Sequence, residues 1–253
     1  MQVALTVAGS DPAGGAGIQA DLRTFAAHGV HGLSAITAII AQGTRGVRAI
    51  WPVEALRVRQ QIEVVLSDVR VHAMKTGALI NASIVEEVIF VLPDVPLVVD
   101  PVIASSSGAM LLTDVRPLRD RLMPRAALIT PNVSELRILL GDEEDARDVE
   151  GLVRGAERLV KLGARAVLAK GGHLPGDPVD VLVDATGVHR LEGTRIVTTC
   201  TRGTGCTLSA AITAELANGS SLPEAVTRAR AFLREAMARS VPIGEGESPA
   251  FSR

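Results

Sequence analysis

The sequence predicts an α/β fold in which a parallel sheet carries helices on both faces. Three observations lead to it: apolar runs of strand length, intervening stretches with apolar residues at helical spacing, and Gly- or Pro-containing turns where the two kinds of segment meet. Strands joined by crossover helices pair in parallel and are covered on both sides. With 253 residues and 47% apolar content the chain can build a large core. Residues 1–253 are read as a single domain, with about 243–253, rich in Gly, Ser and Pro, as a flexible, frayed tail.

Residues 3–8 read as a buried strand. Ile18, Leu22 and Phe25 share one helical face, and that helix ends at Gly29. Residues 34–40 form a second strand, followed by a helix around 53–66. Short apolar runs at 71–74, 97–99, 127–129 and 166–169 each end in a polar or Gly-containing turn, and helices are expected over 82–92, 133–140 and 149–162. Short strands and turns occupy 179–198, with Gly187 and Gly193 as punctuation. Two helices close the chain, the second opened by the capping box from Ser221 to Glu224.

Composition excludes several classes of function. A formal charge of -2 with 2% aromatic residues and no Tyr leaves neither an electrostatic footprint nor a stacking platform for nucleic acid. The N-terminus lacks a basic region before its apolar run, and no apolar stretch approaches the roughly 18 residues of a membrane span. A soluble, cytoplasmic protein with no membrane partner is expected. Its two cysteines, Cys200 and Cys206, should then be free thiols, with no zinc site. Basic residues are nearly all Arg; the lysines are Lys75, Lys161 and Lys170. Lys75 and Lys170 each stand between an apolar run and a glycine, where a compact point charge has a use.

Ligands of an open α/β sheet bind beyond the carboxyl ends of its strands; four segments of interest fall there, and a fifth lies at a helix start. Gly9 to Gly17 resembles a phosphate loop but lacks the Walker Lys and the dinucleotide spacing; Asp21 follows in the first turns of the next helix. Its plain alternative is a wide turn. Asp100, closing the run 97–99, suits a hard cation such as Mg²⁺. Asn132 and Glu135 sit three apart at a helix start, able to face one ligand or simply to cap the helix. Lys170 precedes Gly171 and Gly172, which can approach a phosphate closely. Finally Arg202-Gly203-Thr204-Gly205-Cys206 places two glycines, a hydroxyl and a thiol where free backbone N–H groups and the helix dipole would hold an anion and ease ionisation of the thiol. The alternative for Cys206 is a small buried hydrophobe. Together these are parts for phosphoryl transfer, in which positioning and electrostatics dominate and the base is Cys206.

The segments Ala8 to Asp11 with Gly14 to Leu22, Ala41-Gln42, Lys75 to Leu79, Val99 to Val102, Thr130 to Asn132, Lys170 to Leu174 and Gly203 to Thr207, in this order, resemble the hydroxymethylpyrimidine/phosphomethylpyrimidine kinases of thiamine biosynthesis, in the ribokinase superfamily. Most of that superfamily carries Asp where this chain has Cys206. The resemblance implies a three-layer α/β/α sandwich with a mostly parallel central sheet and no large lid, a homodimer, and ATP with Mg²⁺ as cofactors. It implies that Gly9, Asp21, Gln42 and Ala78 surround the aminopyrimidine, and that Asp100 and Glu135 organise Mg²⁺. It implies that Asn132, Glu135, Lys170 and Thr204 attend the nucleotide, that Gly203, Thr204 and Gly205 form the anion hole, and that Cys206 deprotonates the attacking hydroxyl. Both phosphorylations, of the hydroxymethylpyrimidine and of its monophosphate, are expected.

The chain departs from the family pattern at several positions. Arg202 replaces the usual His, and is expected either to add phosphate affinity or to block the hole. Gly43 follows Gln42 where Asn is frequent, Pro12-Ala13 replaces Ser-Gly, Ala78 replaces Met, and Gly108 is not followed by the usual acidic residue. These changes bear on the acceptor more than on ATP. A pyridoxal-type or salvage kinase, and a catalytically weak nucleotide-binding protein, are the alternative functions.

Overall fold

The computed structural model describes residues 1–104, 108 and 110–252. Its nine strands lie in one sheet. The elements are β1 (Val3–Ser10), α1 (Gly17–Ala27), β2 (His31–Gly43), β3 (Gly46–Pro52), α2 (Ala55–Asp68), β4 (Ala73–Thr76), α3 (Ala82–Phe90) and β5 (Leu97–Val99). They continue as β6 (Leu128–Ile129), α4 (Val133–Leu140), α5 (Val149–Lys161), β7 (Val167–Ala169), β8 (Val179–Asp184), β9 (Gly187–Glu192), α6 (Thr204–Ala217) and α7 (Leu222–Arg239). The order across the sheet is β3-β2-β1-β4-β5-β6-β7-β8-β9. The centre, from β2 through β7, is parallel, while β3, β8 and β9 pair antiparallel at the two edges. No second sheet forms a lid among the described residues.

Side-chain alternation along the strands builds the three layers. Leu5, Val7, Val99, Ile129 and Val167 enter the core shared with α2 to α5. Val98, Leu128 and Leu168 face the opposite way, into the core of α6 and α7, and Ala4 and Ala73 meet Phe25 and the small residues Ala210 and Ala214 of α6. Because both faces are covered, a residue's parity in its strand decides which layer receives it. Lys75 shares the α6 side with Ala73, and in the register of β1 and β4 it lies beside Thr6.

β3 is a strand that the sequence reading did not contain. It forms an edge hairpin with β2, and most of its residues are only half-buried or exposed. With neither face buried, its sequence lacks the two-residue alternation that marks a strand. The expected helix accordingly begins two residues later than read, at Ala55.

The C-terminal stretch, expected to fray, is instead tied down. Ser248 and Ala250 are fully buried, the Ser248 N–H donates to the Thr199 carbonyl (3.1 Å) and the Ala250 N–H to the Arg202 carbonyl (2.8 Å). Its Gly- and Ser-rich composition, which reads as flexibility, serves close packing: Gly244 and Gly246 lie against Thr44 with little or no space for a side chain.

Candidate active site

β1, β4, β5, β6 and β7 end on the same side, and the segments singled out in the sequence converge there around the N-terminus of α6. The first turns of α3, α4 and α5 are capped by Asn81, Asn132 and Asp148, whereas α6, like α1 and α2, opens with no side-chain cap. Apart from the Thr204 N–H, which donates to the Thr201 carbonyl (3.4 Å), its leading N–H groups are therefore available to an anion. Gly203 has a left-handed φ of 73°, and a Cβ there would collide with the Gly15 carbonyl oxygen, so this approach of the two loops requires glycine.

Beneath this turn lies a set of buried charges. Asp100 accepts hydrogen bonds from Thr130 Oγ1 (3.1 Å), Ser209 Oγ (3.2 Å) and Lys170 Nζ (3.1 Å). Lys170 also faces Glu135 at 3.8 Å. Parity explains the meeting: Asp100 continues the side of Val98 and Lys170 that of Leu168, so both project toward α6. The backbone of Gly205 closes over them, since a Cβ at this position would lie 3.2 Å from Lys170 Nζ and 3.6 Å from Asp100 Oδ2. Burial works against ionised Asp100, but Lys170 and then Lys75 outweigh it and hold its pKa below the usual carboxylate range. Burial pushes Glu135 up to about 7, beyond what Lys170 recovers and with Asp100 adding to the rise. Lys170 stays protonated, its pKa raised by Asp100 and Glu135 against the effect of burial.

Asn132 and Glu135 form a capping box: the Asn132 side chain accepts from the Glu135 N–H (2.9 Å) and Glu135 Oε2 accepts from the Asn132 N–H (2.8 Å). Capping, the plainer of the two readings, is thus realised. It does not remove Glu135 from the site, because the cap aims its carboxylate at Lys170.

A second buried pair supports Cys206. Lys75 Nζ donates to Asp21 Oδ1 at 2.6 Å, and Thr6 Oγ1 donates to Asp21 Oδ2 at 2.6 Å. All three residues are fully buried. Asp21 therefore does not hold the edge of a ligand as expected; both of its oxygens are occupied inside the protein, and its task is to anchor Lys75. Burial opposes the Lys75 charge, but Asp21, then Cys206 and Asp100, hold its pKa above the ordinary value.

The expectation that Cys206 ionises easily is overturned. Burial pushes its thiol up to about 11, with Asp21 and Asp100 adding to the rise, against the lowering effect of Lys75 and of the Gly17 N–H. A helix N-terminus shifts a thiol downward, but here desolvation is the larger effect. The thiol is half-buried between the starts of α1 and α6, and Lys75 is the cation that offsets the penalty.

The glycine loop is not an open phosphate cradle. Asp11 folds back into it and accepts from the N–H groups of Ala13 (2.9 Å), Gly15 (3.1 Å) and Ala16 (2.8 Å), so the donors expected for a ligand are already used. Arg202 follows neither expected course. It is 3% exposed, and its guanidinium pairs with Asp11 (3.2 Å) and donates to the Gly43 carbonyl (2.9 Å). Gly9, Gln42 and Ala78 lie near the ends of the adjacent strands β1, β2 and β4, and Thr37 Oγ1 ties β2 to the Ala78 carbonyl at 2.6 Å. Ser105, Ser106, Ser107 and Ala109, where the acidic residue is missing, lie outside the described residues.

Sequence reasoning did not identify Thr6, Thr130 and Ser209 as partners of the buried carboxylates. Ser209 had a usable signal, lying one helical turn after Cys206 and hence on its face. Thr6 had none, because a hydroxyl within an apolar strand also reads as filler, and Thr130, though in a segment that carries the family resemblance, gave no sign of its bond to Asp100.

Comparison with known proteins shows the family and the fold. The family model described as phosphomethylpyrimidine kinase matches residues 11–250. A hydroxymethylpyrimidine/phosphomethylpyrimidine kinase from Streptomyces coelicolor is 44% identical over 249 residues, covering 97% of this chain and 92% of the relative. The crystal structure of phosphomethylpyrimidine kinase from Clostridium difficile 630 superposes with a TM-score of 0.79 at 40% identity, over 93% of this chain and 99% of that one. Pyridoxal kinase from Bacillus subtilis, solved as an ADP complex, superposes with a TM-score of 0.86 at 36% identity, over 96% of this chain and 94% of that one.

Two measurements follow from the electrostatics. In the ligand-free protein, iodoacetamide should alkylate Cys206 slowly at pH 7, with a rate rising about tenfold per pH unit toward a midpoint near 11, while buried Cys200 stays silent; a midpoint near 8 would mean that the helix N-terminus, not burial, governs the thiol. For Glu135, the folded pKa near 7 lies above the ordinary value of 4.5, so its stabilising contribution is full below 4.5 and is lost as pH rises through 7. Urea denaturation in metal-free buffer should show wild type losing stability relative to Glu135→Gln between pH 4.5 and 7, and a flat difference would contradict the assignment.

Proposed function

The chain belongs to the phosphomethylpyrimidine kinase family, and we propose that it transfers the terminal phosphoryl group of ATP to the hydroxymethyl group of 4-amino-5-hydroxymethyl-2-methylpyrimidine, and then phosphorylates the monophosphate to the diphosphate, for thiamine diphosphate synthesis. The observation that carries this reading is the uncapped first turn of α6, with Lys170 on one side and Cys206 on the other. No helix among the described residues is long and apolar enough to cross a membrane.

The residues divide the work. The N–H groups of Gly203 to Gly205 and the Lys170 ammonium neutralise charge on the phosphoryl oxygens as the bond to the leaving group lengthens. Gly9, Gln42 and Ala78 place the heterocycle so that its hydroxyl meets Cys206. Asn132 and Thr204 attend the nucleotide. Asp100 and Glu135 are the pair that fits Mg²⁺: two carboxylates suit an ion that takes its remaining ligands from phosphates and water, and both face the Lys170 ammonium, at 3.1 and 3.8 Å. Bound there, Mg²⁺ would neutralise phosphate charge. Cys206 accepts the hydroxyl proton as a thiolate, which at a pKa near 11 is present in about one molecule in ten thousand at pH 7. Proton transfer is then late, when the forming bond has already acidified the hydroxyl.

Arg202, which by blocking the anion hole would leave a catalytically weak binder, is instead paired with Asp11. The likeness to pyridoxal kinase, together with the small side chain of Ala78, makes pyridoxal the competing acceptor.

A coupled assay of ADP release should give turnover with the hydroxymethylpyrimidine and its monophosphate exceeding that with pyridoxal; the reverse order would move the protein to the pyridoxal kinases, and no turnover with any of the three would sink the kinase reading. The kcat/KM of wild type should climb above pH 7. Cys206→Ala should lower turnover on the order of 10²- to 10⁴-fold, abolish that climb and leave nucleotide affinity nearly intact. We also read the protein as a homodimer through the β2–β3 edge, where Ile39 and Trp51 are register partners and each 57% exposed. Light scattering should report a dimer that Trp51→Glu dissociates, and a monomeric wild type would end this reading.

A further inference from the structure

We propose that Arg202 is a positioning residue that joins the C-terminal stretch to the acceptor side of the site, making residues 244–252 part of the catalytic scaffold. This rests on the kinase reading given above.

Four segments meet at this one side chain and its backbone. The guanidinium holds Asp11, and Asp11 in turn holds the loop 13–16 through three backbone N–H groups. That loop leads directly into α1, and its Gly15 carbonyl packs against Gly203, three residues before Cys206. A second guanidinium nitrogen donates to the Gly43 carbonyl, next to Gln42 at the turn of the β2–β3 hairpin. The Arg202 backbone N–H donates to the Ser248 carbonyl at 3.0 Å and its carbonyl accepts from Ala250, so the C-terminal stretch pairs with it as a short parallel bridge at Pro249. The residue after Arg202 opens the anion hole.

The strap is fastened beyond this bridge as well. The Gly246 N–H donates to Thr44 Oγ1 (3.3 Å), Arg23 of α1 donates to the Phe251 carbonyl (2.6 Å), and Ser240 Oγ, at the end of α7, donates to the Ala250 carbonyl (2.9 Å). It therefore connects the hairpin beside Gln42, α1 and the end of α7, and its contact with the hole is through Arg202. An Arg suits this task because its planar fork addresses a carboxylate and a carbonyl at once; a Lys ammonium offers one point of contact. None of these contacts involves Asp100, Glu135 or Lys170, so the coupling concerns where the acceptor hydroxyl sits relative to the hole.

The test compares Arg202→Met, Arg202→Lys and Asp11→Asn, each assayed well below its melting temperature and normalised to folded protein. Arg202→Met should lower kcat with the acceptor on the order of a hundredfold, the scale set by a displacement of about 1 Å in the reacting groups. The KM for ATP should stay within about twofold of wild type, and Arg202→Lys should recover part of the loss. Hydrogen exchange should accelerate together at Gly15, Ala16, Arg202 and Ala250 while α5 keeps its protection. A kcat within about twofold of wild type, or acceleration spread evenly over the chain, overturns the proposal. If wild type phosphorylates none of the acceptors, the kinase reading fails, and the exchange pattern alone decides whether Arg202 couples the strap to the loop.

Discussion

The first turn of α6 is the constraint around which the carboxyl end of the sheet is arranged. A helix start without a side-chain cap exposes several backbone donors, and burying it demands negative charge nearby or a ligand that brings it. The protein supplies Asp100 below the turn and balances it with Lys170, so that donors, carboxylate and ammonium form one partly neutralised cluster. Two ammonium groups, Lys75 and Lys170, face three carboxylates, Asp21, Asp100 and Glu135. Burial is the larger cause of the raised pKa of Glu135 and the Asp100 charge adds to it; the second of these is what a bound cation would relieve.

The same turn shows how competing electrostatic effects are decided by magnitude. A helix dipole stabilises a nearby anion by about 0.3–1 kcal/mol in exposed settings, whereas desolvation of an ionisable group shifts its pKa by several units. Cys206 follows the larger effect, with Lys75 set beneath it to restrain the rise. Asp21, which first reads as a ligand contact, is better understood as the fixed counter-ion that lets Lys75 exist in a dry layer. Arg202 and Asp11 repeat the device nearer the acceptor, where the charge pair organises loops rather than a thiol.

Legibility tracked whether a signal was local. The buried strands from β1 through β7 that cross the sheet's centre, and the helices with an apolar stripe, could be read to within a few residues, because burial on a defined face forces periodicity. β3 escaped because none of its residues is fully buried, so neither face imposes a clear alternation. The tail was misread because Gly and Ser serve tight packing as readily as flexibility, and the outcome depends on Thr44 and Arg202, which are remote in sequence. In the site, Asp100, Glu135 and Lys170 could be placed from their positions after strands and at a helix start, and the structure brings them together. The parts played by Thr6, Asp21 and Asp11 depended on register and on loops folding back, neither of which leaves a mark in the chain.

By itself the amino-acid sequence determined the layer architecture, the end of the sheet where chemistry gathers, and the anion-holding segment from Gly203 to Cys206, since these follow from periodicity, strand ends and backbone donors. Tertiary structure alone decided the state of each ionisable group. Whether Cys206 is acidic, Asp21 available or Arg202 free depends on which charges lie within a few ångströms and how much water reaches them. Those distances are set by strands and helices far apart in the chain, and a local motif contains no information about them.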